Sequence, residues 1–366
     1  MPKTPPPVLL DALSAQHGVI TRSQLHGLGC SDRTIATLTR RGHLVRIHAG
    51  AYAESDTWRS ASHRTRHCMT LLTIQLACSD AVGFSSTAAT VWGLPVATTP
   101  PRPLVIRPPG RPVLAAADVT RLNLPLADHT LCAGLAVTTL TRTVVDIAAQ
   151  APLAVALMTV DAALRQGTPL VDLQQQLETR QRVQGWARAS AALAAGDPAS
   201  ESPLESLSRG RAIERGMPVP LANVVIRYPD GWVRVDQLWA ELGVIGECDG
   251  KTKYADPATA SDAIWKEKRR HERLQDLGFE IARWGMAEVA GDGAAMEARF
   301  LRAASRQRAV GFTWPAGVTA EIPALPGVRT PPHVVEEVER LRSLGVPIWC
   351  AALSEGFPAV WTRSST

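Results

Sequence analysis

The stretch that most constrains the fold of this 366-residue chain runs from residue 202 to 284, where helix and strand signals alternate with sharp ends. Ser202, Pro203 and Glu205 predict a helix start: a serine N-cap, proline at the first helical position and a capping-box acid. Gly216 and Pro218 end that helix. "NVVIRY", the turn Pro229-Asp230-Gly231 and "WVRVDQLW" predict an antiparallel strand pair, and "GVIGECDG" a third strand. "SDAIWKEKRRHERLQDLG" reads as a long basic helix stopped at Gly278, and "FEIARW" as a closing strand.

Acids interrupt these strands. Side chains two apart share a face of a strand, so Arg234, Asp236 and Leu238 are expected on one face. Glu247 and Asp249 are expected together on the next strand, joined by Lys251 if that strand runs through Gly250. A charged acid in an apolar strand needs a cation or a donor. Lysine is scarce here, five residues among 39 Lys and Arg, yet Lys251, Lys253, Lys266 and Lys268 fall in one short window beside these acids.

The order helix, three-stranded meander, helix, strand resembles the core of the PD-(D/E)XK nuclease fold. The resemblance implies catalytic roles for Asp236 as first acid, for Glu205 as helix acid, and for an acid-x-Lys pair. That pair has two registers: Asp249-Gly250-Lys251, or Glu247 as the acid with Asp249 in the lysine place, as in very-short-patch-repair-like relatives. It also implies Mg²⁺ held by Asp236, Glu247 and Asp249, the metal lowering the pKa of a bound water. Lys251 would then orient the nucleophile, and Lys266, Lys268, Arg269, Arg270 and Arg273 would line a phosphate track. Simpler readings stand beside these. Helix capping accounts for Glu205, a solvated face for the basic helix, and a turn for Asp249-Gly250.

Charge points to the other end of the chain. The first seventy residues hold nine Lys or Arg against four acids, an excess equal to the whole net charge of +5. A small basic domain on a near-neutral remainder fits a polyanion partner. "VLLDALSAQHG" reads as a helix, Thr21 and Gln24 form a capping-box pair, and Ser31 caps "DRTIATLTRRG" with Ile35 and Leu38 buried. "HLVRIHAGAYAE" reads as a hairpin about Ala49-Gly50. Three helices and a hairpin give the order of a winged helix-turn-helix, its third helix in the major groove of double-stranded DNA. DNA contacts are expected from Arg33, Thr34, Thr37, Arg40 and Arg41, with Asp32 also facing outward, and from Arg46 and His48 at the phosphates.

"GVITRSQLHGLGCSDRTIATLTRRGHLVRIHAGAYA" resembles the N-terminal winged-helix domain of AbiEi-family antitoxins, and "SSTAATVWGLP" and "TTLTRTVVDIA" resemble their middle domain. The resemblance implies operator binding, repression of a toxin-antitoxin operon, and a nucleotidyltransferase-like toxin as partner.

The expected fold class is α+β multidomain, with boundaries at 1–67 (winged helix), 68–198 (α/β scaffold), 199–310 (nuclease-like α/β/α) and 311–366 (linker and tail). In the scaffold, Asp146 and Asp161 lie on apolar helices and read as capping or paired acids, not catalysts. No run of eighteen apolar residues predicts a membrane span. Six scattered cysteines without a CxxC pair argue against a disulfide framework or zinc site and fit a reducing cytoplasm. Three functions follow: an antitoxin-type DNA-binding regulator carrying a nuclease-like domain, a Mg²⁺-dependent endonuclease guided by its winged helix, or a protein-interaction role in which the middle and C-terminal domains neutralise a toxin by contact.

Overall fold

The computed structural model describes residues 5–110, 115–180, 184–250, 257–350 and 353, without the side chains of 257–264, 266 and 267. Lys251, Lys253 and the side chain of Lys266 lie outside the described residues. The chain is a mixed α+β protein that divides into two compact units, Met1–Asp146 and Ile147–Thr366.

The first unit opens with α1 (Pro7–Ala15), β1 (Val19–Thr21), α2 (Arg22–Gly27), α3 (Asp32–Arg40), β2 (Leu44–His48) and β3 (Ala51–Glu54). The three strands form one antiparallel sheet in the order β1-β3-β2. The helix ends follow their sequence signals. The Thr21 hydroxyl accepts the Gln24 amide at 3.2 Å and the Gln24 side chain accepts the Thr21 amide at 2.9 Å, closing the capping box. Ser31 caps α3 by accepting the Thr34 amide at 3.2 Å. Leu9, Leu13, Ile20, Leu25, Ile35, Leu38 and Leu44 fill the core between these elements. Each such burial is worth about 1.5–3 kcal/mol against exposure.

The unit continues through α4 (Ser55–Ser60), α5 (His63–Ala77), β4 (Val82–Gly83), α6 (Ser85–Trp92), β5 (Leu104–Arg107), β6 (Asp118–Arg121), β7 (His129–Cys132) and β8 (Leu135–Thr138) into α7 (Leu140–Gln150), within which the chain passes from one unit to the other. Its second sheet has the order β6-β5-β4-β8-β7. Asp146 is a paired acid, accepting from Arg142 Nε at 2.9 Å, and Arg142 also ion-pairs with Asp128.

The second unit begins with α8 (Leu153–Arg165), α9 (Leu170–Glu178), α10 (Trp186–Ala194) and α11 (Pro203–Glu214). It continues with β9 (Leu221–Tyr228), β10 (Gly231–Trp239), β11 (Val244–Cys248), α12 (Pro257–Asp276), β12 (Glu280–Trp284), α13 (Met286–Val289), α14 (Ala294–Val310), β13 (Thr319–Ile322), α15 (Pro332–Ser343) and β14 (Ile348–Cys350). One six-stranded sheet, order β12-β11-β10-β9-β13-β14, joins them. The meander β9-β10-β11 is antiparallel and β12 runs parallel to β11. Leu274 of α12 and Val334, Val338 and Leu341 of α15 pack with Val224, Ile226, Val233, Val235 and Ile245 in one core. Residues of α8, α11 and α14 pack with Trp239, Val244, Cys248 and Trp284 in another.

The two compact units part after Asp146, and residues 198 and 310 both lie inside the second. Helices α8 to α10 belong to the second unit, because α8 and α11 meet with almost no side chain between them. A Cβ on Gly210 would stand 2.3 Å from the Ala154 Cα. Residues beyond 310 are not a linker: β13 pairs with β9 and β14 with β13, extending the sheet. Among the described residues no helix is long and apolar enough to cross a membrane.

Candidate functional site

In the first unit the expected DNA-facing residues occupy α3 and the hairpin. Arg33, Arg40, Arg41 and Arg46 are exposed, whereas Thr34 and Thr37 are half-buried. Thr34 shares its hydroxyl with Ser31 at 3.0 Å, and Thr37 donates to the Arg33 carbonyl at 2.8 Å. Arg40 Nη2 donates to Thr37 Oγ1 at 3.3 Å, so arginine and hydroxyl form one surface. Asp32 ion-pairs with Arg22 of α2, and its Oδ1 lies 3.1 Å from His26 Nε2. The hydrogen bond from Arg22 holds the Asp32 carboxyl below its usual range. This acid therefore staples α2 to α3 and stays ionised.

Both ring nitrogens of His48 are engaged, Nε2 with Thr73 Oγ1 at 2.7 Å and Nδ1 with the Ala49 carbonyl at 3.1 Å. Burial lowers its pKa, and the Thr73 contact ties β2 to α5. Arg46, whose Nε donates to the His48 carbonyl at 3.3 Å, is the exposed cation of that strand.

In the second unit the acids read as a nuclease-like cluster lie on α11, β10 and β11. Ser202 caps α11 as expected, but the capping box does not close on it. Glu205 instead accepts the Glu201 amide at 2.8 Å and the Asn223 side-chain amide at 2.6 Å. Burial raises the Glu205 pKa and the charge of Asp236 adds to that, so Glu205 and Asp236 share one neighbourhood. Asn223 is not among the residues expected at this site. It sits in an apolar run at φ +49°, the left-handed region, and donates also to the Ala199 carbonyl at 2.8 Å. A lone Asn inside a strand run was the available signal, since Asn tolerates that conformation better than most residues.

The expected sharing of a face by Arg234, Asp236 and Leu238 does not hold. Val235 and Leu238 are three apart yet lie in the same core cluster, so strict alternation breaks between them. Opposite this break, β9 carries the left-handed Asn223. Arg234 turns to Glu201 instead, at 2.8 and 2.6 Å. Gln237 is buried on the α11 side, its amide donating to the Glu205 carbonyl at 3.2 Å and its oxygen accepting from Ser208 at 3.2 Å.

The three acids expected to hold Mg²⁺ have separate partners. Asp236 accepts the Cys248 amide at 2.7 Å. Glu247, only 2 % exposed, pairs with Arg270 Nη2 at 2.8 Å. Asp249 is 46 % exposed, with Arg283 Nη1 at 4.0 Å. Among the described residues no group of three His, Cys, Asp or Glu side chains is placed to hold a metal ion. Of the expected phosphate track, Arg270 is committed to Glu247, Arg273 to Asp230 at 2.8 Å, and Lys268 to a long contact with Glu272 at 3.7 Å. Lys268 and Arg269 stand over the exposed ring of Trp265.

Comparison with known proteins places the first of these two regions in a class. Residues 8–55, from α1 through β3, match the family described as transcriptional regulator, AbiEi antitoxin, so an AbiEi antitoxin domain is present there. Over 172 residues the chain is 29 % identical to the uncharacterized proteins MT2308 and Rv2248 of Mycobacterium tuberculosis, from strains CDC 1551 / Oshkosh and ATCC 25618 / H37Rv. That alignment takes in 46 % of this chain and 62 % of each relative, so the chain spans less than two thirds of the relatives it matches. The crystal structure of the RV2827C protein from Mycobacterium tuberculosis aligns with a TM-score of 0.36 at 19 % identity, covering 58 % of this chain and 82 % of that one.

Proposed function

We propose that the chain is a DNA-binding transcriptional regulator of antitoxin type, with the operator contact made by residues 8–55. The observation that carries this reading is the AbiEi antitoxin match over the same residues whose arginines stand exposed on α3 and β2. Three helices and a hairpin support a winged helix-turn-helix, with the N-terminal turns of α3 in the major groove and Arg46 of the hairpin at a phosphate. The family resemblance brings with it a nucleotidyltransferase-like toxin as partner.

Fluorescence anisotropy with duplex DNA from upstream of the chain's own reading frame tests this. Binding is expected to weaken with salt, and Arg46→Ala to reduce the salt slope by about one counterion. Arg33→Ala is expected to cost about 1–3 kcal/mol on one sequence if it reads a base edge. Unchanged affinity and slope for both variants would remove the reading.

The second unit is proposed to be a nuclease-like domain serving as a structural or binding module. The helix-meander-helix-strand order, with a parallel fourth strand, supports the PD-(D/E)XK likeness. The alternative, a Mg²⁺-dependent endonuclease using Glu205, Asp236, Glu247, Asp249 and Lys251, needs the acids to release their present partners. Supercoiled plasmid incubated with the protein and Mg²⁺ or Mn²⁺ separates the two. Nicking lost in both Asp236→Ala and Glu247→Ala would establish the enzyme.

A further inference from the structure

The acid cluster of the second unit already contains a cation of its own. Glu247 projects from β11 into a place where water is nearly absent, and a buried carboxylate needs a counter-charge. Arg270 of α12 supplies it at 2.8 Å. The same guanidinium donates through Nη1 to the Arg234 carbonyl of β10 at 3.0 Å, so it spans the two strands that carry Asp236 and Glu247. The Cys248 amide holds Asp236, and Asn223 with the Glu201 amide holds Glu205. A divalent ion entering between these acids would meet a fixed positive charge and would have to displace it.

We infer that Arg270 is the resident cation of this cluster, standing where a divalent metal would otherwise bind, so that the second unit has no divalent-metal centre at Glu205, Asp236, Glu247 and Asp249. The inference rests on the nuclease-like reading of this unit and is independent of DNA binding by the first. On this account the Arg270–Glu247 ion pair, made through Glu247 Oε2, supplies positive charge within the cluster. Arg270 is a positioning residue that joins α12 to the sheet.

Titration of the full-length chain with Mn²⁺, followed by electron paramagnetic resonance of the free ion, tests it. Wild type is expected to show no saturable site. Arg270→Met is expected to gain one, and Glu247→Gln in the Arg270→Met background to lose it again. A saturable Mn²⁺ site in wild type that Glu247→Gln abolishes would overturn the inference while leaving the nuclease-like reading standing. Absence of a site in both wild type and a folded Arg270→Met would overturn the inference, since removing the cation would have opened nothing, and would leave the reading of the unit as a structural or binding module standing. If Arg270→Met does not fold, urea midpoints decide. The double variant Glu247→Gln/Arg270→Met is expected above Arg270→Met alone, because it no longer leaves a carboxylate buried without its partner. A double variant at or below that single variant would overturn the inference.

Discussion

Arg209 of α11 and Asp161 of α8 form an ion pair of which 1 % and 0 % of the side chains are exposed, with Nη2 donating to both carboxylate oxygens at 3.0 and 2.9 Å. Arg209 Nη1 donates further to the Ala195 carbonyl at 2.6 Å, and Asp161 accepts the Asp197 amide at 2.8 Å. The pair therefore fastens two helices and the loop before α11. Burial raises the pKa of Asp161 against the pull of Arg209. Asp161→Ala leaves a buried guanidinium without its counter-ion, and about 3–5 kcal/mol of stability is expected to go with it. Urea unfolding of the full chain measures this. A loss under about 1 kcal/mol, the range of an exposed pair, would refute the assignment.

Close packing across the sheet makes a second prediction. A Cβ on Gly246 would lie 2.7 Å from the Trp284 ring and 3.0 Å from the Trp239 ring. These two indoles meet edge to face at 6.2 Å between centroids. Gly246→Ala is expected to overpack this layer and cost about 1–3 kcal/mol. An unchanged thermal midpoint would show that the layer yields without cost.

Asn223 offers a test that separates conformation from hydrogen bonding. Gly accepts φ +49° freely, and Ala does not. Both substitutions remove the 2.6 Å bond to Glu205. Asn223→Gly is thus expected to lose only the hydrogen bond, about 1–3 kcal/mol when its buried partner is left unsatisfied. Asn223→Ala should lose about 1 kcal/mol more for the left-handed backbone. Equal stability of the two variants would argue against a backbone constraint at this bend.

Acid should weaken the first unit through His67. Burial, helped by the nearby charge of His63, pushes its pKa from 6.5 down to about 4, and its Nε2 lies 2.9 Å from Thr87 Oγ1. Because the folded pKa is depressed, the unfolded chain takes up the proton first as pH falls. The stability tied to the neutral ring is complete above 6.5 and is lost between 6.5 and about 4. His67→Gln, which keeps a side-chain hydrogen-bonding group, is expected to flatten the pH dependence in that window. Parallel wild-type and variant curves of stability against pH would refute it.

Much of the local architecture was legible from the chain. The caps at Thr21, Ser31 and Ser202, the hairpin at Ala49-Gly50 and the meander turn at Asp230-Gly231 come from short-range rules that depend on a few adjacent residues. The partners of the acids were not legible. Arg270 is 23 residues from Glu247 and Arg209 is 48 from Asp161, and nothing in sequence spacing brings either pair together. Strict alternation would set Leu238 beside Asp236, but β10 breaks alternation between Val235 and Leu238, opposite the left-handed Asn223 of β9. His48 reads as a phosphate contact because it lies in the hairpin expected to be the wing. Its actual partner is Thr73, on a helix that the sequence reading assigned to another domain. The boundaries at 198 and 310 were drawn from composition, which records neither the approach of Gly210 to Ala154 nor the pairing of β13.

The pairing of β13 with β9 has a practical consequence for anyone handling fragments of this protein. Val225 and Ile226 of β9 lie opposite Glu321 and Ala320, and the β9 side chains from Leu221 to Ile226 are all buried. Cutting the chain at 310 would turn the most apolar interior strand into a bare border, its amides and carbonyls open to any other chain. Such a fragment is expected to recruit strands from its own copies, so turbidity or dimers seen with it would report the cut and not the biology.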